Sequence, residues 1–145
     1  MVCAKDLIAQ LKLAPHPEGG WYRETWRADA TQGERASATL IYFLLEADQL
    51  SHWHTVDAAE LWLWHSGDPL QLSTSMRDSA EVDRSILGPD LLGGHVAQQV
   101  VYAGDWQAAR VIPGDHGFAL VSCVVSPGFE FEGFTLAPPA WRPDA

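Results

Sequence analysis

The sequence predicts an all-β fold, a small sandwich or barrel preceded by one short helix, and three observations carry that reading. Strand-like pieces of similar length follow one another from residue 34 onward, each closed by Gly, Pro or Asp. The first of them, ERASATLIYFLLEA (34–47), is a nearly continuous apolar run with β-branched and aromatic members, the composition of a strand buried on both faces. No long helical period alternates with these pieces, which argues against a doubly wound α/β fold.

Taken in order, AKDLIAQLKLAPHP places Leu7, Ile8 and Leu11 at helical spacing and stops at Pro15, so a helix is expected within residues 1–14. The barrel is expected over 15–137. In it AELWLWHS ends at Gly67-Asp68-Pro69, PLQLSTSM near Asp78-Ser79, and EVDRSIL at Gly88-Pro89-Asp90. AQQVVYA ends at Gly104-Asp105, WQAARVI at Pro113-Gly114-Asp115, and GFALVSCVVS at Pro127-Gly128. The proline-rich tail 138–145 reads as irregular, with Trp141 as its anchor.

The 145 residues fit one domain with a core of useful size. Nineteen acidic against nine basic side chains give a formal charge of −10, which repels phosphate backbones and anionic membranes. Neither nucleic acid nor a membrane is expected as a partner. No apolar run approaches the length that spans a bilayer, and no leader-like start is visible, so a cytoplasmic protein is expected. Cys3 and Cys123 are too few for a disulfide framework, and Cys123, inside an apolar strand, reads as a buried, inert thiol.

The chemistry concentrates in SHWHTVDAAELWLWHSGDPL (51–70). Side chains alternate along a strand, so His52 and His54 are expected on one face. Glu60, Trp62 and Trp64 share a face of the next strand, and His65 falls on the other. If the intervening turn brings Glu60 beside His54, two imidazoles and a carboxylate converge in a set competent for a divalent transition metal. The same three residues read equally well as a metal-free polar cluster lining a barrel mouth.

This H-x-H…E pattern, with Gly67 after Glu60, resembles the first signature of the cupins, small jelly-roll barrels with a metal or substrate site inside. The spacing from His54 to Glu60 is wider than usual for that signature. The second signature, P-x-G-x-x-H, is matched by VYAGDWQAA, with Tyr102 in the proline place and Gln107 in the histidine place. PHPEGGWYRETWR, TLIYFLL, LGPDLLGG and VVSPGFEFEGFTLA add a likeness to a branch of small cupins of unknown function, similar to dTDP-4-dehydrorhamnose 3,5-epimerase-like cupins. The resemblance implies a double-stranded β-helix and a homodimer. It also implies a site at His52, His54, Glu60 and Gln107 for one divalent transition metal (Zn, Fe, Mn or Ni), or no cofactor.

Three functions remain open on these residues. The first is an isomerase or epimerase acting on a small polar, sugar-like molecule, with His54 as base, Glu60 beside it, and Tyr42 or Tyr102 as proton donor. The second is a non-catalytic small-molecule-binding module, and a metal-dependent oxygenase is the weakest. Gly19-Gly20 marks a turn into a strand on which Arg23 could hold an anionic group, while Glu18 could close over the mouth. Trp62 and Gln107 complete the expected ligand contacts, although Trp62, Trp64, Trp106, Phe118 and Phe129 also read as core. His16, His95 and His116 read as surface histidines. No nucleophile elbow or phosphate-cradling loop is present.

Overall fold

Short strands with one apolar face are satisfied by packing two antiparallel sheets against each other, and this chain does so. The computed structural model describes residues 2–145. Helix α1 (Ala4–Gln10) leads to β1 (Ala14–Pro15), β2 (Trp21–Arg27), β3 (Thr39–Glu46), β4 (Leu50–Val56) and β5 (Ala59–Gly67). Then follow β6 (Leu70–Ser75), β7 (Asp83–Leu87), β8 (Gln98–Val101), β9 (Trp106–Val111), β10 (Phe118–Ser126) and β11 (Phe134–Leu136). One sheet has the order β1-β2-β3-β10-β5-β8 and the other β11-β4-β9-β6-β7. The result is the all-β jelly roll, a double-stranded β-helix with one short N-terminal helix, that the sequence predicts.

The helix is shorter than the stretch 1–14. Leu11 closes it, Lys12 turns to a φ of 55°, and Ala14–Pro15 is drawn into a sheet edge opposite Tyr22 and Trp21. Its apolar residues Leu7, Ile8 and Leu11 cover the outer face of the six-stranded sheet, where Leu13, Leu44, Phe118 and Leu120 lie buried. The space between the sheets is filled at one end by Phe43, Leu45, Trp62, Leu70, Leu72, Leu87, Val111 and Val121. A second, smaller apolar group (Val56, Ala58 and Val125, with Phe129 and Phe134) lies apart from it. Among the described residues no helix is long and apolar enough to cross a membrane. In the tail, the Trp141 ring sits 4.4 Å from that of Trp106 and 6.4 Å from that of Trp53.

Two irregularities decide what faces the interior. The β4–β9 pairing runs from Ser51 opposite Ala109 to His54 opposite Gln107, so β4 carries one residue more than β9 between them. The β2–β3 pairing steps from Glu24 opposite Ile41 to Trp26 opposite Leu40, leaving Thr25 as the extra residue. Each bulge inverts the alternation beyond it.

Candidate functional site

The site is assembled from one turn and three strands. The turn His16–Gly20 closes on itself through His16 N–H to the Gly20 carbonyl (2.9 Å) and Gly19 N–H to the His16 carbonyl (3.0 Å). Its glycines are required by space. A Cβ on Gly19 would lie 1.9 Å from the Leu50 carbonyl oxygen, and one on Gly20 would lie 2.8 Å from that of Leu44. Pressed this closely against β3 and β4, the turn delivers the side chains of His16 and Glu18 into the interior, where they are only 5 and 8 % exposed.

From β4, the bulge carries Ser51 and His54 inward together, each 1 % exposed. The Ser51 hydroxyl donates to Glu18 Oε2, and His54 Nδ1 lies 3.2 Å from the same oxygen. His54 Nδ1 also meets the His52 carbonyl oxygen at 2.7 Å. A carbonyl only accepts, so Nδ1 carries the proton, and a neutral ring then keeps its lone pair at Nε2. From β5, Glu60 reaches the interior 8 % exposed. From β9, the Gln107 amide N–H donates to Glu60 Oε1 at 2.8 Å, while its carbonyl oxygen accepts from the Trp62 indole N–H at 2.8 Å. The indole is a donor only, which fixes which end of the amide meets which partner.

Of these groups, His16, Glu18, His54 and Glu60 floor a cavity of about 200 Å³. Its walls are Tyr22, Ile41, Val56, Val125, Phe129, Phe131 and Phe134, and its mouth carries Glu24, Arg27 and Glu130. Burial dominates the electrostatics. It pushes the Glu18 carboxyl up to about 8, against the opposing hydrogen bond from Ser51. It raises Glu60 to about 7, with His54 pulling down and Glu18 adding to the rise. It lowers His16 to about 4, helped by His54, and it lowers His54 despite the attraction of Glu60. The close approach of His54 to Glu18 is therefore a contact between neutral groups near pH 7, not an ion pair. The Cys123 thiol lies against Glu60 and is held protonated by burial first and by the two carboxyls second.

Several expected site residues stand elsewhere. His52 is turned out of the interior by the β4 bulge; its Nε2 meets the Pro138 carbonyl at 2.9 Å and the ring lines a groove with Arg84 and Arg110. Gln107 does not line the cavity, and its amide is held between the Trp62 indole and Glu60. The set His52, His54, Glu60 and Gln107 therefore does not converge on one point. Among the described residues no group of three or more His, Cys, Asp or Glu is placed to hold a metal ion. The donors present do not fit the resident metal that the two cupin signatures imply. Trp62 is core, 1 % exposed and edge-on to Phe43 at 5.9 Å, and does not line the cavity. Tyr42 packs under α1 on the outer face of its sheet, and Tyr102 is 70 % exposed beyond β8. Arg23 lies on the exposed face of β2 and donates to the Leu11 carbonyl at 3.2 Å. His65 stays off the site, with its Nε2 at 2.6 Å from the Ser122 hydroxyl.

The structure adds residues that the sequence reading assigned elsewhere. His16, read as a surface histidine, is buried edge-on to Tyr22 at 4.5 Å, and its Nδ1 accepts from the Glu18 N–H at 3.1 Å. Tyr22 is the phenol that reaches the cavity, and Phe129 lines it while also packing on the apolar group of Val56, Ala58 and Val125. Arg27 arrives at the mouth because the Thr25 bulge places it opposite Thr39 on the face of Tyr22 and Glu24. The tight HPEGG turn was the available signal for His16 and Glu18; strict alternation concealed Arg27.

A closed jelly roll whose polar residues gather at one end of its interior, on the strands of the two signatures, is the arrangement of a cupin. The family described as Cupin superfamily (DUF985) matches residues 5–137, and the chain belongs to it. The chain is similar to an uncharacterized protein of Saccharomyces cerevisiae, 30% identical over 91% of this chain and 74% of that one. It is also similar to solved structures of a hypothetical protein from Leishmania major and a protein from Shewanella oneidensis. The first has 34% identity and a TM-score of 0.85, covering 94% of this chain and 88% of the other. The second has 36% identity and a TM-score of 0.85, covering 94% and 85%. Oxalate decarboxylase from Lactobacillus farciminis shares the fold, with a TM-score of 0.62 at 14% identity, over 86% of this chain and 33% of the other.

Proposed function

We propose that the cavity is an acid–base site that moves a proton on a small molecule, the chemistry of an isomerase or epimerase, without a resident metal. The observation that supports this best is the pairing of His54, a neutral imidazole with its lone pair at Nε2, with two carboxyls that burial keeps near protonation equilibrium. A proton shuttle needs a base and an acid whose affinities lie near the working pH. Here His54 serves as base. Glu18, largely protonated near pH 7, takes the donor role expected of Tyr42 or Tyr102, neither of which reaches the cavity. Gln107 and Trp62 hold Glu60 in place through a chain of two hydrogen bonds, and so act as positioning residues.

Exclusion of water strengthens each of these interactions, and the phenylalanine walls supply that exclusion. The substrate class implied is a carbonyl compound with an acidic neighbouring C–H, of sugar size or smaller. The test is solvent deuterium incorporation into a panel of small ketoses and aminoketones, followed by proton NMR. Exchange should occur and should fall by about a hundredfold or more in His54→Ala. Exchange in no panel member above the His54→Ala level would leave the non-catalytic binding module as the better account.

A further inference from the structure

The charges around the cavity are lopsided. Four carboxyl side chains line it (Glu18, Glu24, Glu60 and Glu130), against one arginine. That arginine is engaged. Arg27 Nε and Nη2 reach the two oxygens of Glu24 at 3.3 and 2.8 Å, Nη2 also donates to the Phe129 carbonyl at 3.0 Å, and Nη1 lies 3.6 Å from Glu130. Neither imidazole supplies a positive charge, since burial holds both neutral. A carboxylate or phosphate entering this space would meet an arginine already paired with Glu24 and Glu130, above a floor where Glu60 is partly ionised and no imidazole is charged, an arrangement that costs affinity.

The floor offers acceptors at the His54 lone pair and the Glu60 carboxyl, beside a Glu18 that is largely protonated near pH 7. The ligand group that reaches it should therefore be rich in donors. A polyol would also need directed polar partners along its body, yet above the floor only the Tyr22 and Thr39 hydroxyls interrupt walls of Ile41, Val56, Val125 and three phenylalanines. Phe129, Phe131 and Phe134 stand mutually edge-to-face, with centroids 4.9, 5.9 and 6.3 Å apart. Phe131 keeps 54 % of its surface exposed at the rim. Aromatic faces beside carboxylates attract an organic cation, and an ammonium group brings three donors to one point.

We infer that this cavity selects a small organic cation, a protonated amine on a largely apolar body, over neutral and anionic molecules of the same shape. The inference takes the location of the site from the proposed function and nothing from its chemistry. It is tested on the full chain with three probes of equal size, benzylammonium, benzyl alcohol and benzoate, titrated by NMR with the His54 and Phe131 resonances as reporters. Benzylammonium should bind at least about tenfold tighter than benzyl alcohol, and benzoate should not shift those resonances. Phe131→Ala, a change at an exposed rim position, should weaken benzylammonium binding about threefold to tenfold and leave benzyl alcohol nearly unchanged. Benzoate or benzyl alcohol binding as tightly as benzylammonium would overturn the inference. So would the failure of all three to bind at about 10 mM. A preference for the cation without any deuterium exchange would leave this inference standing while removing the proton-transfer reading, and the reverse result would do the opposite.

Discussion

At the scale of single residues, the cavity floor gives the protein two opposed pH dependences. Glu18 is raised from 4.5 to about 8 in the folded chain. Between those values the folded state holds a proton that the unfolded chain has released, so stability falls as pH rises through that window. His16 works in the opposite direction. Lowered from 6.5 to about 4, it makes the unfolded state the better proton acceptor there, and stability falls as pH drops from 6.5 towards 4. Glu18→Gln keeps the shape and removes the titration. Denaturant titrations should show this variant gaining on the native chain by at least about 1 kcal/mol from pH 5 to pH 8. A constant difference across that range would mean that Glu18 is ionised in the folded state. The same residues show what the sequence conceals: a histidine in a Gly- and Pro-flanked loop carries no mark of burial until the loop's path is known.

At the scale of elements, the jelly roll is positioned by its turns and bulges more than by its strands. The Gly19-Gly20 turn holds β4 and β3 closely enough that Glu18 meets Ser51 and His54. Gly20 and Gly33 both have positive φ, 79° and 83°, but only Gly20 has neighbours that a Cβ would strike. Comparing Gly20→Ala with Gly33→Ala by thermal and chemical denaturation separates the two costs. Gly33→Ala should cost about 1 kcal/mol from backbone strain alone, and Gly20→Ala about 2–4 kcal/mol in total. Equal losses would mean that the turn yields and that its fit against β3 is not tight. The bulges explain where strand periodicity succeeded and where it misled. Glu60 and His65 lie where alternation puts them. His52 and Arg27 do not, because one inserted residue on β4 and one on β2 exchange inside for outside. Nothing in HWH or RETWR marks an insertion, since a bulge is fixed by the partner strand.

At the scale of the whole molecule, the fold was legible because its signals are repeated: strand after strand ends in Gly, Pro or Asp, and the apolar run around TLIYFLL fits only a central strand. The site was legible in part. His54 and Glu60 sit on the two strands that the signature motif identified, and both face the interior. The proposed metal set did not assemble, because it depended on His52 sharing a face with His54 and on Gln107 presenting a carbonyl. Instead the Trp62–Gln107–Glu60 chain and the His16–Glu18 turn surround His54 in a hydrogen-bonded polar cluster. That cluster makes a specific claim about protons. Near pH 7 His54 is neutral with its proton on Nδ1, held by the His52 carbonyl, and His16 is neutral with its proton on Nε2, because Nδ1 accepts from the Glu18 N–H. Long-range proton–nitrogen correlation NMR of the labelled protein reads both states directly. The account predicts two neutral rings of opposite tautomer at pH 7, with His54 carrying Nδ1–H. A doubly protonated His54, or a His54 proton on Nε2, would contradict it, because the proposed base would then have no lone pair at Nε2.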